Sequence, residues 1–304
     1  MRIVSLLPSA TEIVYALGLE PVGVSQECDY PPEAQSKPVI VRSTVDGDAA
    51  SKTINEQVTA AEQSGGVYEI DRDALERVNP DLLISQGMCD VCAIDTTIVT
   101  DAVSDLGLHC NVVNIDPHSL DDVFRDIRRI GEETDTREQA QNVVSTLKQR
   151  VDKIERTVGE KESQPRVAVF DWMNPVMVAG HWMPELVELA GGEYGMADPR
   201  ARARPREWTE ILEYDPEVIV VAPCGFTIDQ TEAHLHELTT RPGWTDLTAV
   251  GNDEIYLLDG HNYANRPGPR LVETVEYLAG ILQPTIDSPP ENAVRRISRP
   301  KKKS

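Results

Sequence analysis

The sequence predicts an α/β protein with two Rossmann-like lobes, each built on a parallel sheet and joined by a long backbone helix. The first observation is Thr136–Val158, where apolar residues recur every three or four positions, the pattern of an amphipathic helix. The second is that the chain before this helix and the chain after it read as two versions of one unit. Each version opens with a strand, a turn and a helix, and later repeats a helix, an Asn/Asp-Pro break and an apolar strand.

These observations divide the chain into four segments. We expect an N-terminal α/β lobe at 1–117, connecting helices at 118–160, a C-terminal α/β lobe at 161–285 and a basic, disordered tail at 286–304. With 304 residues, of which 40% are hydrophobic, the chain is long enough to bury two cores. Ligands of open parallel sheets bind beyond the carboxyl ends of the strands, so loops of the two lobes should face one another across a cleft.

The N-terminal lobe begins with a strand from Arg2 that runs into a Pro/Ser turn and a helix. Its remaining elements are predicted, in order, as a strand at Val22–Ser25, helices at Ile54–Glu62 and Asp73–Val78, a strand at Leu82–Ser85, a helix at Thr96–Leu106 and a strand at His109–Ile115. A helix from Ser119 to Gly131, with Asp122 in its cap, leads to the long helix. Asp135 is the expected cap of that long helix.

The C-terminal lobe repeats the same order of elements. We predict a strand at Arg166–Phe170, a helix at Glu185–Ala190, an Arg-rich loop at Met196–Arg206, a strand at Val218–Ala222, a helix at Ile228–Thr239, a strand at Ile255–Leu258 and a closing helix at Leu271–Leu282. The pair Gly191-Gly192 ends the first of these helices in the expected way, because glycine favours the C-terminal turn.

The charge of the chain excludes some partners. Its formal net charge is −22, from 51 acidic and 29 basic residues. Such a surface repels nucleic acid and anionic membranes. It is also typical of acidic, halophilic-type proteins, because screening within about 3 Å at 1 M salt removes the self-repulsion. We expect a monomer.

The compartment is predicted from three features. No apolar run approaches the roughly 20 residues needed to cross a bilayer. No signal peptide or lipid anchor is recognisable before the first strand. The five cysteines are an odd number, and four of them lie in or next to predicted loops, which favours a reducing compartment. We therefore expect a cytoplasmic protein that is not embedded in a membrane, or one on the extracellular face only if the true start lies upstream.

Four pieces of sequence stand in a recognisable order around the long helix: LLPSATEIVYALG, CDYPPEA, the NPDLLIS strand and RPGPRLVETVEYLAGIL. With these pieces, residues 1–284 resemble the cobalamin-binding proteins of vitamin B12 ABC importers. More broadly, they resemble the two-lobed, helix-linked binding proteins for siderophores, haem, metals and corrinoids. The resemblance implies a non-catalytic protein that holds a corrinoid, such as cobalamin, between its lobes.

The same resemblance implies which residues do this. The implied ligand contacts are Pro8, Ser9, Ala10, Thr11, Tyr30, Trp172, His181, Trp182, Asn262 and Tyr263. The flat aromatic rings among them suit a large macrocycle. Importer members also carry one carboxylate on each lobe that docks to arginines of the transporter permease. The first corresponds to Asp73; the second position is Thr209, and Glu210 stands beside it.

The cysteines favour an alternative function. Cys89 and Cys92 follow a strand and precede a helix, whose N-terminus would lower a thiol pKa, as in a redox dithiol. Cys28 and Cys224 lie in loops expected at the same cleft, which would complete a four-thiolate set for zinc or an iron–sulfur cluster. The alternative is therefore a cytoplasmic metal, iron–sulfur or dithiol redox protein. The simplest interpretation is that the thiols only line a pocket.

Other polar residues leave two roles open. His181 and His261 could ligate cobalt or another metal as neutral imidazole, or only hydrogen-bond their own loops. The run Arg200, Arg202, Arg204 and Arg206 could meet anionic groups of a ligand or pair locally. The motifs G-x-G-x-x-G, G-x-x-x-x-G-K-[ST], G-x-S-x-G and H-E-x-x-H are absent from the sequence, which argues against an enzyme.

Overall fold

The computed structural model describes residues 1–47, 49–64, 66–87, 94, 96–159 and 163–297. Within these residues the chain forms two six-stranded sheets with helices packed against them. The predicted α/β class with two lobes is therefore confirmed.

The first lobe is built on a sheet of order β4-β3-β2-β1-β5-β6. Its strands are β1 (Ile3–Ser5), β2 (Gly23–Ser25), β3 (Val39–Ser43), β4 (Tyr68–Ile70), β5 (Leu82–Gln86) and β6 (Asn111–Ile115). Its helices are α1 (Pro8–Ala16), α2 (Ser51–Ser64), α3 (Arg72–Val78) and α4 (Thr96–Asp105). β4 pairs antiparallel with β3, whereas the other strands pair in parallel, so this sheet is mixed and not wholly parallel.

The burial of β5 shows that both faces of this sheet are covered. Leu82, Leu83 and Ile84 are almost completely buried, as expected for a central strand covered by helices on both faces. Leu82 and Ile84 belong to the large cluster shared with the connecting helices, and Leu83 belongs to a separate cluster within the lobe. With both faces covered, the carboxyl-terminal edge of the sheet remains for a ligand.

Two helices connect the lobes, α5 (Leu120–Glu133) and α6 (Arg137–Val158). Ser119 caps α5 by accepting a hydrogen bond from the Asp122 backbone N–H, as predicted. The predicted cap of α6 is wrong: the helix begins after Thr136, which makes no side-chain capping bond, and Asp135 has a left-handed backbone with φ 56°. The predicted apolar stripe is confirmed, because Ala140, Val144, Leu147, Val151 and Ile154 are all buried.

The second lobe is a sheet of order β12-β11-β10-β7-β8-β9. Its strands are β7 (Val167–Trp172), β8 (Met177–Val178), β9 (Arg204–Pro205), β10 (Val218–Val221), β11 (Ile255–Leu258) and β12 (Val294–Ile297). Its helices are α7 (Met183–Leu189), α8 (Trp208–Tyr214), α9 (Ile228–His234), α10 (His236–Thr239), α11 (Thr248–Gly251) and α12 (Leu271–Leu282). Only β7, β10 and β11 pair in parallel within this sheet, and the helix predicted at Ile228–Thr239 is divided at Leu235 into α9 and α10.

The expectation of a disordered tail at 286–304 is wrong for its described part. β12 pairs antiparallel with β11 and extends the second sheet by one strand. Val294 is buried, and Arg296 pairs with Glu254 at 2.6 Å. These contacts order a stretch whose composition alone predicted a solvated chain. Residues 298–304, with the terminal lysines, lie outside the described residues.

Candidate functional site

The lobes meet where the carboxyl ends of their parallel strands face each other. On the first lobe, α1 follows β1 and begins with Pro8, whose missing N–H suits a first helical turn. The loop with Asp29 and Tyr30 follows β2. On the second lobe, the chain between β11 and α12 passes through the turn Gly260–Ala264. We call the space between these loops the inter-lobe cleft.

Five side chains bond the lobes to each other in this cleft, and we call Glu12, Asp29, His261, Arg266 and Arg270 the inter-lobe ion network. Arg270 Nη2 donates to Glu12 Oε1 at 2.6 Å. Arg266 Nη1 donates to Asp29 Oδ1 at 2.5 Å, and His261 Nε2 lies 2.7 Å from Asp29 Oδ2. Each of these bonds joins a first-lobe carboxylate to a second-lobe side chain.

Glu12 and the two arginines of the network are buried, so their charges need partners. Glu12 is 4% exposed and Arg270 is 7% exposed. Burial raises the pKa of Glu12, although the hydrogen bond and charge of Arg270 oppose this. Burial also disfavours ionised Asp29, but the hydrogen bonds from His261 and Arg266 outweigh it and hold the pKa of Asp29 well below its usual value. Within the network, two carboxylates therefore face two guanidiniums.

Tyr30 lies beside this network and is 44% exposed. The Arg270 guanidinium lies over its ring at 3.8 Å from the centroid, a cation–π contact between the lobes. Tyr263 lies 5.3 Å from the same guanidinium and packs edge-on against Tyr277. Asn262 is held in its turn because its backbone N–H and its side-chain amide both donate to Asp259. The structure thus brings Tyr30 and Tyr263 together around Arg270.

Both tryptophans of the predicted set are buried in the same core cluster. Trp172 ends β7 at the cleft edge and packs edge-on against Phe226, and its Nε1 has no hydrogen-bond partner among the described residues. Trp182 is 5% exposed, its Nε1 donates to the Ala264 carbonyl at 2.9 Å, and it belongs to the core cluster. In this conformation Trp182 packs inside the second lobe.

The start of α1 packs closely against the second lobe. Ser9, Ala10 and Thr11 are buried. A Cβ atom at Gly268 would lie 3.2 Å from the Ser9 Cα, so only glycine allows this approach without displacement. Thr11 Oγ1 makes hydrogen-bond contacts inside the first lobe, with Ser5 Oγ at 2.8 Å and Cys28 Sγ at 3.1 Å. The Pro8–Thr11 segment therefore forms part of the wall between the lobes.

The described cysteines do not form a metal site. Cys28 is buried, and burial raises the pKa of its thiol to about 12, so it stays protonated and is a poor metal ligand. Cys224 is half-buried in the turn after β10. Among the described residues no group of three or more His, Cys, Asp or Glu side chains is arranged to hold a metal. Cys89 and Cys92 lie outside the described residues, and the zinc and iron–sulfur hypotheses have no support in the rest.

The histidines bond residues of other segments. His181 Nδ1 lies 3.0 Å from His118 Nδ1, and His118 Nε2 contacts Asp116 at 3.1 Å. Burial, with smaller effects from His118 and Arg202, lowers the pKa of His181 to about 4, so this imidazole is neutral near pH 7. His181 thus joins the second lobe to the chain before α5, and His261 contacts both Asp29 across the cleft and Arg266 of its own loop.

Two members of the arginine run pair with acidic residues of this chain, Arg206 locally and Arg200 with a distant segment. Arg200 donates to Ser119 Oγ at 3.0 Å and to Asp122 Oδ2 at 2.7 Å, which ties the second lobe to the start of α5. Arg206 pairs with Glu210 at 3.2 Å. Asp73 and Glu210 are both exposed in the first turns of α3 and α8, the matching helices of the two lobes.

Sequence reasoning missed four members of the network as site residues: Glu12, Asp29, Arg266 and Arg270. A signal was present. Glu12 is the one acidic residue in the apolar helix sequence PSATEIVYA, and the two arginines are the first and last residues of the stiff RPGPR segment. A charge placed among apolar residues requires a buried partner. The sequence alone could not show which distant residues are the partners of Glu12, because they lie more than 250 positions away along the chain.

Comparisons with known proteins identify the family of this chain and proteins similar to it. The family model described as "Periplasmic binding protein" matches residues 3–261. An uncharacterized ABC transporter substrate-binding lipoprotein of Bacillus subtilis (strain 168) is 26% identical over 93% of this chain and 80% of its own. A vitamin B12-binding protein of Vibrio cholerae is also 26% identical, over 93% and 89%. A crystal structure of a periplasmic heme-binding protein from Pseudomonas aeruginosa superposes with a TM-score of 0.72 at 17% identity, covering 98% of both chains.

The chain belongs to the periplasmic binding protein family. This finding corrects the expected compartment: the cytoplasmic localisation predicted from the sequence is wrong, because the family is periplasmic and the relatives include a substrate-binding lipoprotein. The prediction depended on the first residues and on an odd cysteine count, and neither determines a compartment. Separately, none of the helices in the described parts of the chain is long and apolar enough to cross a membrane.

Proposed function

We propose that this chain is the substrate-binding component of an ABC importer and that its ligand is a corrinoid, cobalamin in particular, held in the inter-lobe cleft. The family and the substrate-binding relatives support the importer role. The vitamin B12-binding relative supports the corrinoid. Because structural neighbours include a heme-binding protein, the choice between the two macrocycles has to come from the chemistry of the cleft.

The charge balance of the inter-lobe ion network is the observation that carries this choice. Both guanidiniums are already paired with carboxylates of this chain, Arg270 with Glu12 and Arg266 with Asp29. The propionates of a haem would compete with those carboxylates for the same cations, and a buried carboxylate without a cation is costly. The rim of the corrin ring carries neutral amides, which need hydrogen bonds and no counter-charge, and the one phosphodiester of cobalamin lies in its nucleotide loop, off the ring. The network therefore favours a corrinoid over haem.

The aromatic residues beside the network suit the same ligand. Tyr30 presents a ring that is braced by Arg270 on the second lobe and is partly open to solvent. Trp172 ends its strand at the cleft edge, but its unpaired indole N–H is buried, so an amide carbonyl of the ligand would reach it only if the cleft opened. A broad apolar macrocycle with polar edges can use both kinds of group.

Parallel titrations of the full chain with cyanocobalamin and with haem test the proposal. We expect cobalamin to bind with 1:1 stoichiometry and haem to bind at least about tenfold more weakly. A tenfold difference in Kd corresponds to about 1.4 kcal/mol of binding free energy, here the cost of leaving one carboxylate without a cation. Visible absorbance reports both ligands. Tyr30→Ala should weaken cobalamin binding by about two- to tenfold through lost stacking, and Tyr30→Phe, which keeps the ring, serves as the matched control. Equal or tighter binding of haem would refute the charge argument.

The docking surface is a further part of the proposal. Asp73 and Glu210 stand exposed on α3 and α8, so each lobe offers a carboxylate to arginines of a permease. Glu210 already pairs with Arg206 and caps α8, so its carboxylate would have to exchange partners on docking. No contact among the described residues favours the metal or dithiol alternative, and it is not proposed.

A further inference from the structure

The connection between β3 and β4 carries a contact that the ion network does not explain. α2 belongs to the first lobe by chain order, yet its first residue, Ser51, is fully buried and donates a hydrogen bond to Glu237 on α10 of the second lobe. Ile54, one turn further along, is buried in the large hydrophobic cluster that runs through both lobes. α2 therefore reaches from one lobe to the other.

The topology places this contact at the cleft. β3 runs parallel to β2 and β1, so its last residue, Ser43, lies at the cleft edge of the first sheet and α2 starts from that edge. In the second lobe, α9 follows β10 and so starts from the cleft edge of the sheet, and α10 continues directly from α9. In the first sheet β3 and β6 lie on opposite sides of β1. Since the connecting helices follow β6, α2 closes the side of the cleft opposite to them.

The contact of α2 is slighter than the other inter-lobe contacts. Among the described residues, a side-chain hydrogen bond joins α2 to the second lobe, that of Ser51 to Glu237, and Ile54 and Val58 pack in the cluster that runs through both lobes. Glu237 is itself 3.8 Å from the imidazole of His234, within the second lobe. The ion network, by contrast, joins the buried Glu12 and the half-buried Asp29 to three second-lobe side chains. Segments with few buried contacts open at lower free energy than the whole structure.

We propose that α2 is a gate on one side of the inter-lobe cleft, held shut by Ser51 and Glu237, and that it opens for the ligand while the ion network keeps the lobes in place. Lids of this kind open on the microsecond to millisecond scale and often set the rates of ligand exchange. The identity of the ligand rests on the proposed function, whereas the opening of α2 does not.

Two readouts on three variants test the gate. Ser51→Ala removes the hydroxyl donor, Glu237→Gln weakens the acceptor, and Thr59→Ala is the matched control, because the exposed Thr59 hydroxyl bonds only to Asn55 of its own helix among the contacts described. The first readout is hydrogen exchange of α2 amides without ligand. The second is stopped-flow binding of cyanocobalamin to the full chain.

We expect α2 exchange to rise roughly tenfold in Ser51→Ala, as for the loss of one hydrogen bond to a charged group, and to stay unchanged in Thr59→Ala. The association and dissociation rates of cobalamin should rise by the same factor, with Kd unchanged within about twofold. Unchanged α2 exchange overturns the gate, and so do unchanged rates or a change confined to Kd. If the wild type binds no cobalamin, the proposed function fails and the exchange result alone decides the gate.

Discussion

Replacing Arg270 with alanine is expected to lower the free energy of unfolding by about 3–5 kcal/mol, the range for breaking a buried ion pair by removing one partner. Glu12 would keep its buried position and lose the guanidinium that bonds it at 2.6 Å. The next guanidinium, that of Arg266, is 3.7 Å away and is already bonded to Asp29. Tyr30 would lose the cation over its ring as well. Urea unfolding followed by circular dichroism measures the change.

Two control variants separate the buried pair from charge in general. Arg72→Ala breaks an exposed pair with Asp105 and should cost at most about 1 kcal/mol. The double variant Glu12→Gln, Arg270→Met removes both charges and should be more stable than Arg270→Ala, since no unpaired carboxylate remains. A loss below about 1 kcal/mol in Arg270→Ala would mean that water or another cation reaches Glu12, and the network would not be a buried inter-lobe bond.

Replacing Trp182 with alanine is expected to destabilise the protein by about 3–5 kcal/mol, as for other buried tryptophans. The ring is 5% exposed, and His181 stacks on it at 5.5 Å between centroids. Its Nε1 bond to Ala264 anchors the turn that precedes Arg266 and Arg270. The variant should therefore loosen the ion network as well as the core. Thermal unfolding measures the loss.

Trp182→Phe is the control for this variant, because it keeps an aromatic ring and loses the indole donor. It should destabilise the protein less than Trp182→Ala does. Its cost is the lost hydrogen bond, worth about 1 kcal/mol, plus the smaller cavity that a phenyl ring leaves. The opposite pattern, an unchanged melting temperature with lost cobalamin affinity in Trp182→Ala, would place the ring against the ligand. The resemblance to cobalamin-binding proteins implied that arrangement.

Local patterns predicted most of the fold. The apolar stripe of α6 and the Ser119 cap of α5 follow from spacing and side-chain chemistry within a few residues. The closing helix and the strand at Ile255–Leu258 have their predicted bounds for the same reason. Elements that depend on distant partners were predicted less well. β12 forms because β11 offers an edge, and its own composition gives no sign of that.

The site was harder to predict because its bonds join distant parts of the chain. Loops after strands were correctly expected to meet, but spacing cannot give the direction of a side chain. Trp182 was predicted at the ligand from its place in a loop; its indole N–H bonds a carbonyl 82 positions away, a partner that the sequence could not indicate. His181 likewise bonds His118 from the segment before α5. Glu12 and Arg270 are 258 positions apart and become partners only when both lobes are in place.

The central claim is that a corrinoid occupies the inter-lobe cleft, and a crystal structure of the full chain grown with excess cyanocobalamin tests it most directly. The account predicts one corrin ring between the lobes, in contact with the Tyr30 ring, with Arg270 still bonded to Glu12 and Arg266 to Asp29. A corrin bound away from Tyr30 on an outer surface, or a cleft left empty at saturating cobalamin, would contradict it.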